Sequence, residues 1–588
     1  MVLPRRSLNR SVGRSTLNIS GRTTSVVSLL CVFILCSCLR SRSPQEIVSD
    51  RIRDRILSQE TRSGLAINQD LIHASGVLPA AYKDRDYRAF WSADQDLLPK
   101  ADSLVEAIKE ADREGLRPED YHLASLEAMM GDFRQHRQDR GFPFAPRLAD
   151  LDLVLSDAFL VYASHLAEGK VNGETLQPEW HVKLDSLDYA NIIEDALRSN
   201  RIGESLRGLL PQHAFYSDLR RMLSSFEALA RKGGWEAVPG GPAMKIGELG
   251  KRVAALRHRL AASGDLIRRH QKAGDAFDST LADAVRRFQK RHGLEASGIV
   301  DSTTRAAMNV PVEERLGQIR ANLERWRWLP RTLSRKYVAV NVAAFRLTAV
   351  EKGRTVLSMK VVVGNPDWQT PVFSSTLTQV LFNDSWLAPQ NILETELINY
   401  MKADSDYLRR NKMVLLRGAG DGLREIDPRS IDLVTLNPKD IDFRLRQDPG
   451  PDNIMGQVKF LLPNKYEVFL HDTPYREDFA KTIRMYSHGC IRLERPYDFA
   501  EYLLNDYPGW TRDTILRVVQ KVERRTITLK EPVPIYILYC TAWREGDGMI
   551  EFREDYYGRD KRLNAALLEG PRALSGRSRL EEQREREP

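Results

Sequence analysis

The chain has 588 residues, with 88 Lys and Arg against 80 Asp and Glu, for a formal net charge of +8. That length suggests about three or four domains, each able to bury a core without disulfide staples. With 42% hydrophobic and 29% charged residues, the composition excludes a collagen-like, wholly membrane-embedded or wholly disordered chain. So thin a positive excess, gathered into no long basic run, makes no case for nucleic acid as a partner. Cys31, Cys36 and Cys38 crowd the start, and Cys490 and Cys540 stand alone near the end. This is neither a disulfide framework nor a zinc-type CxxC pattern.

Residues 1–38 read as an export segment. Arg5, Arg6, Arg10, Arg14 and Arg22 precede the uncharged run Ser25–Ser37, a basic region followed by an apolar stretch too short to span a bilayer. Leu35-Cys36-Ser37-Cys38 resembles a bacterial lipoprotein box, so lipidation at Cys38 and an ordinary or uncleaved signal both stay open. Each version places the body outside the cytoplasm. Residues 39–77 are polar, show no core pattern, and are expected to form a tether.

From 78 to 240 the spacing predicts a helical scaffold. Leu104, Ala107, Ile108 and Ala111 share one face before Gly115; Leu151, Val154, Leu155, Ala158, Tyr162 and Leu166 share another before Gly169. Gly240-Gly241-Pro242 marks a joint. The unit at 245–312 carries Leu281, Ala284, Val285 and Phe288 on one helical face, then Gln289, His292, Gly293, Leu294, Gly298 and Asp301. That set resembles the three-helix peptidoglycan-binding module, with Phe288 and Leu294 expected in its core.

Near residue 336 the period changes to two. Val338, Val340 and Val342 alternate, as do Phe345, Leu347 and Ala349. After the turn Glu351–Arg354 come Leu357, Met359, Val361 and Val363, which predicts antiparallel strands. Between about 388 and 450 the pattern dissolves into charged sequence with Pro and Gly, an insertion expected to act as a flap over a groove. Strand character returns at Lys465–His471, Pro496 opens a helix, and 546–588 reads as a charged, disordered tail.

The densest chemistry lies in Phe469-Leu-His-Asp-Thr-Pro474 and Met485-Tyr-Ser-His-Gly-Cys-Ile-Arg-Leu-Glu-Arg-Pro496. A thiol becomes a useful nucleophile beside a base or cation. Cys490 can be that nucleophile and His471, at a strand end, the general acid/base. Gly489 permits a sharp turn that offers backbone N–H groups to an oxyanion. Arg492 fits either a fork onto a substrate carboxylate or a loop organiser. Taken singly, an isolated Cys is more often a buried hydrophobe and a lone His a capping group. A zinc site of His471, His488 and Cys490 has cramped spacing and lacks a fourth ligand, so no metal and no cofactor are expected.

Residues 313–545 resemble the catalytic domain of the L,D-transpeptidases, the YkuD-type fold, in the large branch with a scaffold and a peptidoglycan-binding module. The resemblance is carried by His471 followed by Ser487-His488-Gly489-Cys490-Ile491-Arg492. Arg325-Trp-Arg-Trp-Leu-Pro330, Val363-Gly-Asn-Pro366, Thr370-Pro-Val-Phe373, Phe382-Asn-Asp-Ser-Trp386 and Gly456-Gln-Val-Lys-Phe460 add to it. Many members carry Asn two residues after the cysteine, where this chain has Arg492. The resemblance implies an α+β multidomain chain: a helical scaffold, a small binding module, and a mainly-β catalytic domain with an inserted flap. It implies that a Cys490 thioester to a tetrapeptide stem forms as D-Ala leaves, and that a second stem then attacks to give a 3–3 crosslink. Peptidoglycan stems are then donor and acceptor. Ser487, His488, Arg492 and Trp386 are the expected substrate contacts, with core packing an equal expectation for Trp386 and for Phe469. The implied location is the periplasm or cell envelope of a bacterium, with a lipid on Cys38 or a signal anchor as the route to the membrane. Hydrolysis of the same thioester, an L,D-carboxypeptidase outcome, uses the same residues; an inactive wall-binding protein is the alternative from another class.

Overall fold

The computed structural model describes residues 42–574 apart from 59–64, 140–142, 177–186, 268–273, 419–421, 434, 438–439 and 546–547. The export segment and Cys38 lie outside the described residues. Among those described, no helix is long and apolar enough to cross a membrane.

The expected tether is instead a docked helix, α1 (Pro44–Leu57). Ser43 and Glu46 close a capping box at its start, with Glu46 N–H donating to Ser43 Oγ at 3.2 Å and Ser43 N–H to Glu46 Oε2 at 2.7 Å. Val48, Ile52 and Ile56 recur every four residues among charged neighbours, and this narrow stripe is buried against α2 (Phe144–Glu168). Helix α2 is covered on every side, so its polar residues must find partners inside. Asp152 accepts from Tyr82 Oη at 2.6 Å, Phe90 N–H at 3.0 Å and Trp91 N–H at 2.8 Å, which pins the preceding chain onto it. Helix α3 (Ala214–Arg231) completes the layer used below.

The module has its own core. Helices α4 (Lys251–Ala262), α5 (Ser279–Arg291) and α6 (Ser302–Met308) bury Leu256, Leu260, Leu281, Val285 and Phe288 together. Gln289 and Asp301 hold its turns, by Gly298 N–H to Gln289 Oε1 at 2.9 Å and Thr304 N–H to Asp301 Oδ1 at 2.7 Å. Helix α7 (Val312–Arg327) then packs on α3.

Strands β1 (Lys336–Asn341), β2 (Arg346–Glu351) and β3 (Arg354–Gly364) follow, then β4 (Phe373–Phe382). Lys352 and Gly353 both take positive φ, the two-residue primed turn that matches strand twist. The insertion folds as β5 (Trp386–Leu387), β6 (Met413–Arg417), β7 (Arg424–Ile426) and β8 (Phe443–Gln447), in the order β7-β6-β8-β5. Short helical turns join it, and Leu393, Ile398, Met413, Leu415, Phe443 and Leu445 give it a separate core. The main sheet resumes with β9 (Val458–Leu461), β10 (Leu470–His471), β11 (Met485–Ser487), β12 (Ile491–Leu493) and, after helix α8 (Pro496–Leu503), β13 (Arg525–Leu538). Its order is β11-β3-β12-β10-β9-β4-β13-β1-β2, and β2 also pairs with β3, closing the sheet. Strand β10 is shorter than the alternation at 465–471 predicts. Asn464 Oδ1 accepts the N–H groups of Tyr466 and Val468, and Glu467 takes φ 54°, so the stretch begins as a turn.

The expected tail also needs correcting as far as residue 574. β14 (Ala542–Arg544) pairs with β15 (Ile550–Phe552), and α9 (Arg559–Leu568) packs on α7. The fixing contact is a buried ion pair, Arg325 to Asp560 at 2.5 Å, with Thr541 Oγ1 donating to the same carboxylate at 2.7 Å. Its charged composition hides Leu563, Ala566 and Leu567, which are buried.

Candidate active site

Parallel strands β10 and β12 lie side by side, with His471 opposite Arg492 and Leu470 opposite Ile491. Alternation then puts Phe469, His471, Cys490 and Arg492 on one face. On the other side of β10, Lys459 of β9 stands opposite His471. An imidazole is thus flanked cross-strand by an ammonium and a guanidinium, with the thiol as its diagonal neighbour.

His471 is buried, and its Nδ1–H donates to the Asp472 carbonyl at 2.5 Å. The Met455 carbonyl adds to this. That fixes the tautomer and leaves Nε2 as the basic nitrogen. Burial and the Arg492 charge hold the ring's pKa down at about 3, so it is neutral at physiological pH. The Asp472 carboxylate faces away: Oδ2 accepts from Gln457 N–H at 3.0 Å and Tyr497 Oη at 3.4 Å, and Oδ1 pairs with Arg476. Gly456 makes this close approach possible, since a Cβ there would lie 2.4 Å from Asp472 Cβ.

Cys490 is a free, half-buried thiol, with Sγ 3.9 Å from the Glu467 carbonyl. Burial pushes its pKa up, while the Phe469 N–H, Lys459 and Arg492 pull it back. Thiol and imidazole therefore rest as a neutral pair. Among the described residues the thiol's partners are backbone groups and no thiol–imidazole hydrogen bond forms, a looseness common before substrate binds. Cys540, also free, is buried beside Trp543, and burial, with the Asp560 charge adding to it and Arg325 opposing, drives its thiol up to about 12.

The turn before the thiol is held from within. Ser487 Oγ donates to the Cys490 carbonyl at 2.5 Å and accepts from Gly489 N–H at 3.2 Å; Thr370 Oγ1 donates to the Gly489 carbonyl at 2.8 Å. Gly489 takes φ 105°, open only to glycine. Two expectations change here. Ser487 is buried with its hydroxyl committed to the turn, so it organises the turn and does not face a ligand. The Gly489 N–H already has a partner, so its part in an oxyanion site is conformational; the Cys490 N–H is the backbone donor this turn leaves available.

Arg492 is buried, bonded to Asp478 Oδ2 at 3.3 Å and the Tyr486 carbonyl at 3.4 Å, and sits over the Tyr475 ring. Those bonds fit the loop-organising alternative. Trp386 belongs to the flap core, because β5 pairs with β8 and turns the indole inward, so the substrate contact expected of it is corrected to packing. Phe469 stays half-exposed under the Lys459 ammonium, 4.0 Å from the ring centroid. His488 reaches outward: Nε2 lies 2.7 Å from Glu396 Oε1 on the flap, and its ring stands edge-on to Trp368. Asp478 and Glu396 carry no motif signal of their own, and Lys459 stands inside the Gly456–Phe460 match without having been singled out. Lys459 could have been found by following the β9 alternation; the other two only through the fold.

Residues 335–535 match the model of the "L,D-transpeptidase catalytic domain". This stretch is an L,D-transpeptidase catalytic domain. Residues 77–223 match a "Scaffold domain" and 250–308 a "Putative peptidoglycan binding domain". A Haemophilus influenzae protein named "Putative L,D-transpeptidase" is 32% identical over 231 residues, 39% of this chain and 46% of that protein, so the match spans about half the relative's length. Solved L,D-transpeptidases from Xylanimonas cellulosilytica (16% identity, 51% of this chain and 98% of that one, TM-score 0.16) and Mycobacterium smegmatis (13%, 35% and 60%, TM-score 0.15) are also similar, at scores too low to bear on the fold. The L,D-transpeptidase domain holds every residue of the site just described.

Proposed function

We propose that the chain is a peptidoglycan L,D-transpeptidase of the bacterial envelope that forms 3–3 crosslinks through a thioester on Cys490. The observation that carries this reading is the thiol of Cys490 and the neutral imidazole of His471 on one face of paired strands, flanked by Lys459 and Arg492. A neutral imidazole can take the thiol proton as sulfur attacks the carbonyl before the terminal D-Ala. The ring passes that proton to the departing D-Ala amine, then deprotonates the incoming amine of the second stem. The Cys490 N–H meets the oxyanion, and the two cations stabilise negative charge developing on sulfur and oxygen. One amide replaces another, so no nucleotide is consumed. The module at 250–308 keeps the chain on its polymer.

The test is mass spectrometry of the full chain incubated with a tetrapeptide donor. Native protein gains the tripeptide acyl mass on Cys490, and dimeric stems appear with acceptor present. The Cys490→Ala variant gains nothing while melting as native does. Acylation of that variant would reject the assignment, and tripeptide without dimers would move the reading to hydrolysis.

A further inference from the structure

A cavity of about 540 Å³ lies where the module, the catalytic sheet and the C-terminal segment meet. Gly293 and Leu294 of the module form one wall, and Arg346 and Lys360 of strands β2 and β3 another. Lys481 and Arg484 line it from the segment before β11, and Arg553 and Tyr556 close it. Five of its lining residues are cations and one, Glu494, is an acid. Three cations have outside partners: Arg346 with Glu545 at 2.6 Å, Lys481 with Asp478 at 2.7 Å, Arg553 with Glu551 at 2.9 Å. Lys360 Nζ donates to the Phe479 carbonyl at 2.9 Å and stands 3.9 Å from Glu494.

Arg484 differs. It is buried, its guanidinium donates to the carbonyls of Val361, Lys481, Thr482 and Phe345 at 2.7 to 3.2 Å and stands 5.3 Å from the Phe345 ring, and among the described residues no carboxylate is in contact with it. Burial and the charges of Arg346 and Arg553 depress its pKa to about 10, against the pull of Glu494. A buried cation without a contacting anion is costly unless a ligand supplies one.

The position points to a particular anion. Lys360 lies opposite Glu494 on β3, four residues along β12 from Cys490, so about 13 Å at a strand's rise. An extended four-residue peptide spans about that length, so a stem reacting at Cys490 reaches at most the rim of the cleft and leaves its cations to a neighbouring stem. We propose that this cleft binds the carboxylates of a peptide stem of the wall polymer, at a point separate from the stem reacting at Cys490. The identity of the polymer rests on the activity proposed above; the cleft and its charge do not.

The test uses the full chain with insoluble peptidoglycan. Arg346→Glu with Lys360→Glu reverses two partly exposed cleft cations; Arg51→Glu with Arg53→Glu makes the same charge change on exposed residues of α1. The cleft pair is expected to lower retention on the polymer at least about tenfold and the α1 pair not at all. Blocking the polymer's carboxylates as amides should erase the difference between native and cleft-pair proteins, and inorganic phosphate should not displace native protein. Acylation of Cys490 by a soluble tetrapeptide should be unchanged in the cleft pair, and melting checks its fold. Lys360→Gln alone should show a smaller loss of the same sign. Unchanged retention of the cleft pair, equal loss in both pairs, loss that survives amidation, or displacement by phosphate would each overturn the proposal. If native protein is not acylated, the proposed activity falls while the retention comparison still reads the cleft.

Discussion

Two histidines of this chain each stand against an aspartate, and their pKa values shift in opposite directions. In the scaffold, His122 Nε2 meets the Asp157 carboxylate at 2.7 Å, with Asp70 at 3.7 Å from Nδ1 and His73 stacked alongside. Burial alone would lower its pKa, but the hydrogen bond and charge of Asp157 outweigh this and raise it. In the catalytic domain, His471 meets the backbone carbonyls of Asp472 and Met455, the Asp472 carboxylate is turned to Gln457, and Lys459 and Arg492 flank the ring. The first histidine holds a proton more firmly where it joins helix and loop; the second is a neutral base. The difference comes from a carboxylate facing the first ring, against burial and the Arg492 charge acting on the second.

The comparison can be broken from either end. His471→Gln should cut the acylation rate of Cys490 by about 10²- to 10⁴-fold, the usual worth of a positioned base, with little change in melting; stopped-flow acylation checks this. Asp157→Asn should leave acylation intact and destabilise by about 3–5 kcal/mol, the cost of breaking a buried pair, read by urea unfolding.

The pH dependences should run in opposite directions. The folded pKa of His471, about 3, lies below its unfolded value near 6.5. Its contribution is therefore complete above that unfolded value and is lost as pH falls toward 3, at about 1.4 kcal/mol per pH unit. The folded pKa of His122 is raised, so its contribution is present at low pH and is lost as pH rises through that folded value. Unfolding of His471→Gln and His122→Gln against native protein, from pH 4.5 to 8, should give differences of opposite slope. Matching slopes would remove the distinction.

The smallest effect belongs to the flap. Glu396→Gln removes the charge that meets His488 and, for a half-exposed pair, should cost about 0–1 kcal/mol. Faster hydrogen exchange confined to residues near 390–403, with melting unchanged, is the expected signature.

Particular residues show where sequence reading reached and where it stopped. Val338, Val340 and Val342 announced β1 because a half-buried strand must alternate. The stripe Val48-Ile52-Ile56 went unread because three apolar residues separated by six charged or polar ones resemble solvated sequence until α2 is there to cover them. Trp386 stayed divided between ligand contact and core packing for the same reason: the flap core it joins is assembled from residues as distant as Leu445.

The amino-acid order alone settled what is local. It supplied the periods of helix and strand, the glycine at 489 that a left-handed turn demands, and a thiol and an imidazole 19 residues apart. The charge on that imidazole was decided by the assembled sheet. Its proton affinity depends on burial and on Lys459 and Arg492, brought beside it by strand register. Pairing of His488 with Glu396, 92 residues earlier, was likewise a product of the fold. Electrostatic energies follow distance through space and the water excluded from it, and chain order fixes neither until the strands close.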